Sequence, residues 1–519
     1  MPRKRLIAAA LLACAVAPPA AARASATQVS IMQDDDQLVY RDDSTRDRAL
    51  DEMKALGVDV VRATVLWRNV AAGVTHAAAR RRDLSSPRAY GVAVWNRYDN
   101  LVRAAQARGL RVYFSVTGPA PDWAHGKAPR RERDVVRLAW EPGVRQFAKF
   151  VTALGRRYSG RYRDEDSGGG LLPRVDFWGL WNEPNQAGWL APQYAFSREA
   201  RRVIPVAPIV YRELFFRGRR ALDDTGHGHD TILLGETAPL GSGRQGRRSP
   251  IRPAKFLREL LCLDAGGHSY TGRQARARHC SDFDKFGPLR ASAYGHHPYT
   301  KDLPPTRRDP SPDAITMANI NSLATLIDRS SRTGRIAKGL PIVLTEFGYE
   351  TNPPDPFSGQ PLDRQAEYIN VGDYMAAQNP RILSQTQFIL KDAGPVPRAR
   401  PGTKPYWFTY QSGLLFANGS PKPAATAYAL PFVAVKTAGG VGVWGQLRFR
   451  PNGIVDQVQL ERLSDDGTTW QPIGSPVQVI NPVGMFQTVL DGAGPGLYRA
   501  HWTGSDPPGD VASRTVQIP

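Results

Sequence analysis

Phe177-Trp178-Gly179-Leu180-Trp181-Asn182-Glu183-Pro184-Asn185 is an apolar run that stops at a carboxylate and a proline turn. Pro341-Ile342-Val343-Leu344-Thr345-Glu346-Phe347-Gly348 repeats the pattern, with a glycine where the backbone must bend or approach a ligand. Working outward from these two, further β-type runs fall at 28–32, 58–67, 110–117, 231–236, 291–294 and 384–390. With 175–181 and 341–346 they make eight. Several are rich in Val, Ile, Phe and Trp and lack clean alternation, as expected of strands covered on both faces. Helix-period stripes lie between them. Examples are Ala49, Leu50, Met53 and Leu56, then Tyr98, Leu101, Val102 and Ala105, then Phe147, Phe150, Val151 and Leu154.

Eight strand–helix units in one continuous run predict a (β/α)8 TIM barrel over residues 27–437. The units average about 50 residues, and in a barrel the surplus belongs in the loops that carry the active site. The longest insertions are 71–90, 119–141, 185–210 and 239–290. At Thr437-Ala438-Gly439-Gly440 the character changes. Short β runs follow, separated by turn signals such as Pro451-Asn452-Gly453 and Asp465-Asp466-Gly467, with no helix period. Residues 438–519 read as a small all-β sandwich of the immunoglobulin or fibronectin-III kind.

The composition is that of a globular protein: 41% hydrophobic and 22% charged over 519 residues. It excludes a wholly disordered chain, a collagen and a coiled coil. The net charge of +20 is mostly Arg and is dispersed. The runs at 80–82 and 130–133 lack interleaved aromatics, so a solvated basic surface is expected and nucleic acid is not. An anionic polymer stays open as the alternative.

Residues 1–26 read as a signal peptide of a secreted protein. Arg3-Lys4-Arg5 is the basic start, 6–17 the apolar stretch and Ala24-Ser25-Ala26 the cleavage site. Leu11-Leu12-Ala13-Cys14 weakly resembles a lipoprotein box, which makes lipid anchoring at Cys14 the lesser alternative. No later segment is long and apolar enough to span a bilayer. In an oxidising compartment Cys262 and Cys280 are expected to pair, with free thiols as the alternative.

The chemistry rests on the two carboxylates. Glu183 closes the fourth strand and Glu346 the seventh, so in an eight-stranded barrel they face each other across the mouth. Two carboxylates across a cleft are what glycoside hydrolysis needs. Trp178 and Trp181 are candidates for apolar walls that raise a carboxyl pKa and stack on sugar faces. Which indole faces the carboxyl is not readable. Trp67 and Trp123, after strands two and three, are candidates for sugar stacking, with core packing as the alternative. Of His296 and His297, His297 is expected to line the site. Glu236 ends a strand as well and reads better as a buried, hydrogen-bonded acid than as a substrate contact. His227-Gly228-His229-Asp230 has metal-like spacing but reads as a solvated loop away from the rim. Neither a phosphate-binding glycine loop nor a nucleophile elbow nor a zinc motif occurs, so no cofactor or metal is expected.

With these residues in place, 28–436 resembles glycoside hydrolase clan A, the (β/α)8 superfamily of cellulases, β-xylosidases and β-galactosidases. The motifs are Asn182-Glu183-Pro184 and Glu346, supported by Arg62 in Val60-Val61-Arg62 and by His297-Pro298-Tyr299. The resemblance implies Glu183 as acid/base, Glu346 as nucleophile and Asn182 as the partner of the sugar 2-hydroxyl. It implies that Arg62 and Tyr299 hold the nucleophile ionised. It further implies retaining hydrolysis of a poly- or oligosaccharide. The rivals are a non-catalytic glycan-binding barrel and a cell-envelope module that uses the basic surface, so association with a cell wall stays open. In the sandwich, Trp444, Trp470 and Trp502 form either a binding face or core.

Overall fold

The computed structural model describes residues 28–166, 170–450, 455–504 and 509–519. The leader, its cleavage site, Cys14 and the turn at Pro451-Asn452-Gly453 lie outside these residues.

Eight parallel strands close into a barrel. They are β1 (Val29–Gln33), β2 (Val60–Leu66), β3 (Arg111–Thr117), β4 (Phe177–Leu180), β5 (Thr231–Thr237), β6 (Ala293–His296), β7 (Ile342–Phe347) and β8 (Ile382–Phe388). Each of the eight expected runs is a strand, and β8 pairs with β1 to seal the sheet. A helix follows each strand. The stripes read from the sequence sit on α1 (Asp43–Ala55), α2 (Asn96–Ala107) and α3 (Val144–Arg157). After them come α4 (Ala207–Asp224), α5 (Pro253–Leu260), α6 (Ile320–Ser330), α7 (Leu362–Ala377) and α8 (Pro423–Ala429).

Strand parity decides which side chains enter the barrel. On β2, Val61, Ala63 and Val65 pack outward on the helices, while Val60 and Arg62 point inward. On β3, Val112, Phe114 and Val116 face out and Tyr113 faces in. The lower interior is filled by Ile31, Val60, Tyr113, Phe177, Leu233, Ala293 and Val343. Above that apolar plug the inward positions turn polar. Gln33, Arg62 and Tyr113 are direct register partners on β1, β2 and β3. A buried polar layer on an apolar floor is the platform for the site.

The loops at the carboxyl ends of the strands carry the insertions. A hairpin, Tyr194–Ser197 with Arg202–Pro205, follows β4. The segment after β5 is closed by a disulfide between Cys262 and Cys280. The stretch from Ile389 to Pro421, between β8 and α8, is a further long loop; Gly394-Pro395, Pro401-Gly402 and Asn418-Gly419 mark it in the sequence, although it is not among the insertions expected above.

The C-terminal region is two antiparallel sheets face to face. One contains Phe432–Thr437, Gly440–Gln446 and Met485–Asp491, and the other is built on Asp456–Leu463 and Gly496–Trp502. Phe432, Val443 and Phe486 of the first pack against Leu460, Tyr498 and Trp502 of the second. The strand Phe432–Thr437 belongs to this domain, although the sequence pattern counts it with the barrel. Gly439-Gly440 is part of its hairpin turn and not a linker. Asp465-Asp466-Gly467 is a hairpin turn as expected, with Gly467 at φ 73.

The sandwich docks on α7. Asn370 donates to the Ala427 carbonyl (2.7 Å) and accepts from the Phe432 amide (3.1 Å). Trp444, Val433 and Met485 pack on Ala377 and Tyr374. Trp444 is thus interface, Trp502 is sandwich core, and Trp470 lies under the Arg499 guanidinium at 4.2 Å. A Cβ on Gly57 would overlap the backbone of Arg448, and its φ of 84 is a second reason for glycine there.

Candidate active site

Seven of the eight strands bring a side chain to one buried cluster, Arg62, Tyr113 and Ser115 from within β2 and β3 and the others from at or just beyond the carboxyl ends. Arg62 is its hub and is fully buried. Its Nη1 donates to Glu346 Oε1 at 3.0 Å and to the side-chain carbonyl of Gln33. Its Nη2 donates to Glu236 Oε2 at 2.6 Å, to Asn182 Oδ1 at 3.1 Å and to Ser115 Oγ at 3.3 Å. One planar guanidinium thereby ties β1, β2, β3, β5, β7 and the segment after β4. Its rigid fork suits such shared contacts.

The segment that follows β4 is tightly bent. Trp181 has φ 80 and Glu183 φ 39, a left-handed region that side chains other than glycine rarely occupy. The bend is held by the Asn182 amide donating to Thr117 Oγ1 (3.0 Å) and the Glu183 amide donating to the Glu236 carbonyl (3.0 Å). Such strained backbone persists where the surroundings over-determine it, and it collects at functional sites. Here it turns Glu183 toward the barrel axis.

His297, at the end of β6, joins the two carboxylates. Its Nδ1 lies 3.0 Å from Glu183 Oε1 and 3.5 Å from Glu346 Oε2. Tyr299 donates to Glu346 Oε2 at 3.2 Å. Glu183 and Glu346 keep 20% and 12% of their side-chain surface, so both reach the cavity, while His297 is covered.

The electrostatics follow from burial against pairing. Burial pushes the Glu346 carboxyl above the usual carboxylate range. His297 and Arg62 pull it back, and Glu183 and Glu236 push it further up. This corrects the expectation that Arg62 and Tyr299 leave Glu346 with a depressed pKa. Both contacts exist, but desolvation and two neighbouring carboxylates outweigh them. Burial opposes protonation of His297, yet the Glu346 charge and the hydrogen bond to Glu183 outweigh it and raise its pKa. His296 behaves oppositely. It is sealed between Thr237 Oγ1 (2.9 Å) and the Ile315 carbonyl (2.8 Å), and burial lowers it to about 3.

Above the cluster opens a cavity of ≈ 840 Å³ with Asn182, Glu183, Tyr299 and Glu346 in its wall. Its aromatic lining is Tyr40, Trp189, Tyr349, Phe357, Phe388 and Tyr410, and Asp35, Lys301 and Glu350 add charge. Glu350 is raised to about 7, chiefly by burial.

Several residues that the sequence marks as candidates lie elsewhere. Trp178 is fully buried on the outer face of β4, against Phe114 and His227. Phe177 and Gly179 take the inward positions, so alternation alone turns Trp178 away from the sugar. Trp67 is fully buried between Trp123, Phe147 and Phe150. Trp123 packs on that same core and is no part of the cavity wall. Trp181 also faces the core, with its indole N–H on the Trp189 carbonyl (3.2 Å). His227 is not a solvated loop residue. It is buried, with Nδ1 on Asp230 (2.6 Å) and Nε2 on the Gly155 carbonyl (2.8 Å). The aromatic wall comes instead from Trp189 in the loop after β4 and Tyr410 in the loop after β8. Gln33, Tyr113 and Ser115 complete the floor, with only their place on inward strand positions as a signal.

No family model matches the chain, and no curated protein is similar to it in sequence. Among solved structures it is similar to a family 39 glycoside hydrolase from Bacteroides cellulosilyticus WH2. That match has 14% identity and TM-score 0.48, over 90% of this chain and 81% of that one. It is similar to a monomeric β-xylosidase from Caulobacter crescentus CB15, with 14% identity and TM-score 0.47, over 90% and 97%. It is also similar to a GH5_18 protein from Streptomyces cattleya in complex with GlcNAc, with 17% identity and TM-score 0.45, over 78% and 79%. These are likenesses of fold at low identity, and the chemistry of the site rests on its own side chains.

Proposed function

We propose that the protein is an exported retaining glycoside hydrolase that cleaves O-glycosidic bonds of a poly- or oligosaccharide. One observation carries the reading: Glu183 and Glu346, from opposite sides of the barrel, both reach His297 Nδ1, at 3.0 and 3.5 Å, on one cavity wall. The sum of those distances is an upper bound on the gap between the two oxygens. That favours the spacing of retaining pairs, about 5–5.5 Å, over the wider gap of about 6.5–9.5 Å that lets inverting pairs hold a water. The aromatic walls supply faces for sugar rings. The basic leader with its small-residue cleavage site supports export.

The steps follow from the charges. Glu346, oriented by Arg62 and Tyr299, attacks the anomeric carbon. The bond to the leaving oxygen breaks, and that oxygen takes the proton of Glu183. A glycosyl ester of Glu346 results. Glu183, now a carboxylate, removes a proton from water, whose oxygen attacks the same carbon and frees Glu346. Three carboxylates, Glu183, Glu236 and Glu346, share two cations, Arg62 and a protonated His297. The first step requires Glu183 to carry one further proton, which leaves the cluster neutral. Asn182 stands beside Glu183 with its Oδ1 fixed by Arg62, which leaves its amide nitrogen to meet a sugar hydroxyl.

An aryl 2-deoxy-2-fluoro-β-glycoside tests this directly. A covalent sugar on the peptide containing Glu346, found by mass spectrometry, supports the reading. Saturable glycan binding with no label and no turnover points to the non-catalytic barrel instead.

A further inference from the structure

Glu236 takes no part in the steps above, yet the barrel is built around it. Three features bring it in. β5 slips register against β6 between Gly235 and Thr237, and Glu236 itself is left-handed, with φ 50. A bulge of this kind re-aims a side chain, here into the barrel. On the neighbouring strands the facing residues are glycines. A Cβ on Gly179 would overlap Oε1 of Glu236, and one on Gly295 would come within 2.8 Å of its Cγ. The carboxylate is fully partnered: Tyr113 donates to Oε1, and Ser115 (2.9 Å) and Arg62 (2.6 Å) donate to Oε2. It is 1% exposed and does not touch the cavity.

We propose that Glu236 is a positioning residue for the hydrolysis, holding one edge of Arg62 so that the other edge faces Glu346, and dividing the guanidinium charge between the two carboxylates. The proposal rests on the hydrolase reading. Arg62 has one positive charge and is gripped at Nη2 by Glu236 and at Nη1 by Glu346. Without Glu236, Arg62 Nη2 would keep only the neutral acceptors Asn182 and Ser115, and its charge would fall on Glu346 alone. The nucleophile would then be over-stabilised as a carboxylate and less reactive. The backbone adds a second link, since the Glu236 carbonyl accepts the Glu183 amide. A single residue thereby touches the supports of both catalytic carboxylates.

The groups that face Glu346 are Arg62 from β2, Glu183 after β4, His297 and Tyr299 after β6, and Tyr410 from the β8 loop. Those that face Glu236 are Arg62, Tyr113, Ser115 and, from α4, Tyr211. Glu236→Gln keeps the shape and removes one negative charge from this set. Ionised Glu346 becomes easier to form, so the acidic limb of kcat/KM moves to lower pH, by on the order of one pH unit. At the wild-type optimum kcat/KM falls on the order of tenfold. Gly179→Ala is the second variant. It pushes the same carboxylate off Arg62 without removing it and moves the acidic limb the same way. In a Glu236→Ala background only the Tyr113 hydroxyl, 2.7 Å from the added Cβ, is left to give way, so the further cost is small. An active wild type whose two variants fold and keep the acidic limb in place overturns the proposal, whatever their rates, because a merely structural acid lowers activity without moving that limb. A wild type that turns over no glycoside overturns the hydrolase reading and the role of Glu236 with it.

Discussion

Nδ1 of His297 stands 3.0 Å from Oε1 of Glu183, and the same nitrogen lies 3.5 Å from Glu346. A single proton therefore serves both carboxylates, Glu183 on one side and Glu346 on the other. His297→Gln removes a cation that favours ionised Glu346. The acidic limb of kcat/KM should move to higher pH, and activity at neutral pH should fall on the order of ten- to a hundredfold. The wild type also carries a stability signature. His297 is raised above the ordinary histidine value, so the fold favours its protonated form. Its contribution is complete below about pH 6.5 and is lost as the pH climbs through the raised value. Urea midpoints between pH 5 and 9 should fall more steeply in the wild type than in the variant. Parallel curves would show that His297 stays neutral.

Glu183 and Glu346 separate by leaving group. Glu183→Gln should cost about 10²–10⁴ in kcat/KM on a substrate with a poor leaving group. It should cost far less on a dinitrophenyl glycoside, whose phenolate needs no proton. Glu346→Gln should lose on the order of 10⁴ or more on both, because the nucleophile itself is gone. Steady-state kinetics on the two substrates decides the roles. Equal losses for the two variants on both substrates would remove the assignment of acid and nucleophile.

The tryptophans give the sharpest contrast between core and cavity. Trp189 lines the cavity, and Trp178 is wholly buried on the far side of β4. Trp189→Ala should leave the unfolding midpoint nearly unchanged and lower kcat/KM on the order of tenfold, the value of one lost ring face. Trp178→Ala should destabilise the barrel by about 3–5 kcal/mol while the folded fraction keeps its KM. The opposite outcome would mean that the β4 parity is reversed.

That parity shows what a sequence reveals of such a barrel and what it hides. The barrel strands are legible because most are short, almost continuous apolar runs, which helices on one side and packed side chains on the other require; β8, with Ser384-Gln385-Thr386-Gln387 at its centre, is the exception. The same continuity hides which residues point in. Trp178 and Gly179 are equally apolar, and only Arg62 and Tyr113, polar groups locked in register on β2 and β3, mark the inward face. Glu183 and Glu346 are legible because a carboxylate ending an apolar strand has few structural uses. Glu236 ends a strand too, but its place under Arg62 depends on a bulge and on glycines two strands apart. The cavity's aromatics are hidden for another reason. Trp189 and Tyr410 ride on loops whose course is set by tertiary contacts, such as Gln186 Nε2 on the Leu240 carbonyl, and not by periodicity.

The sandwich is joined to the barrel by a buried ion pair, Arg448 with Asp373 at 3.0 Å, each with about one-twentieth of its side chain exposed. A buried pair adds little net stability against a well-packed apolar substitute, but breaking it strands a charge in low dielectric. Asp373→Asn should therefore destabilise by about 3–5 kcal/mol, whereas Asp373→Leu with Arg448→Met should recover most of that loss. Asp373 sits on α7, and Gln385 of β8 donates to it at 2.9 Å, so the disturbance reaches the barrel wall. A chain cut before Phe432 should expose the α7 face that Trp444 and Met485 cover and lose cooperative unfolding. Calorimetry distinguishes the cases. A truncated barrel that unfolds cooperatively with unchanged midpoint would make the sandwich a detachable appendage, and a single shared transition in the full chain would make it part of the barrel's own stability.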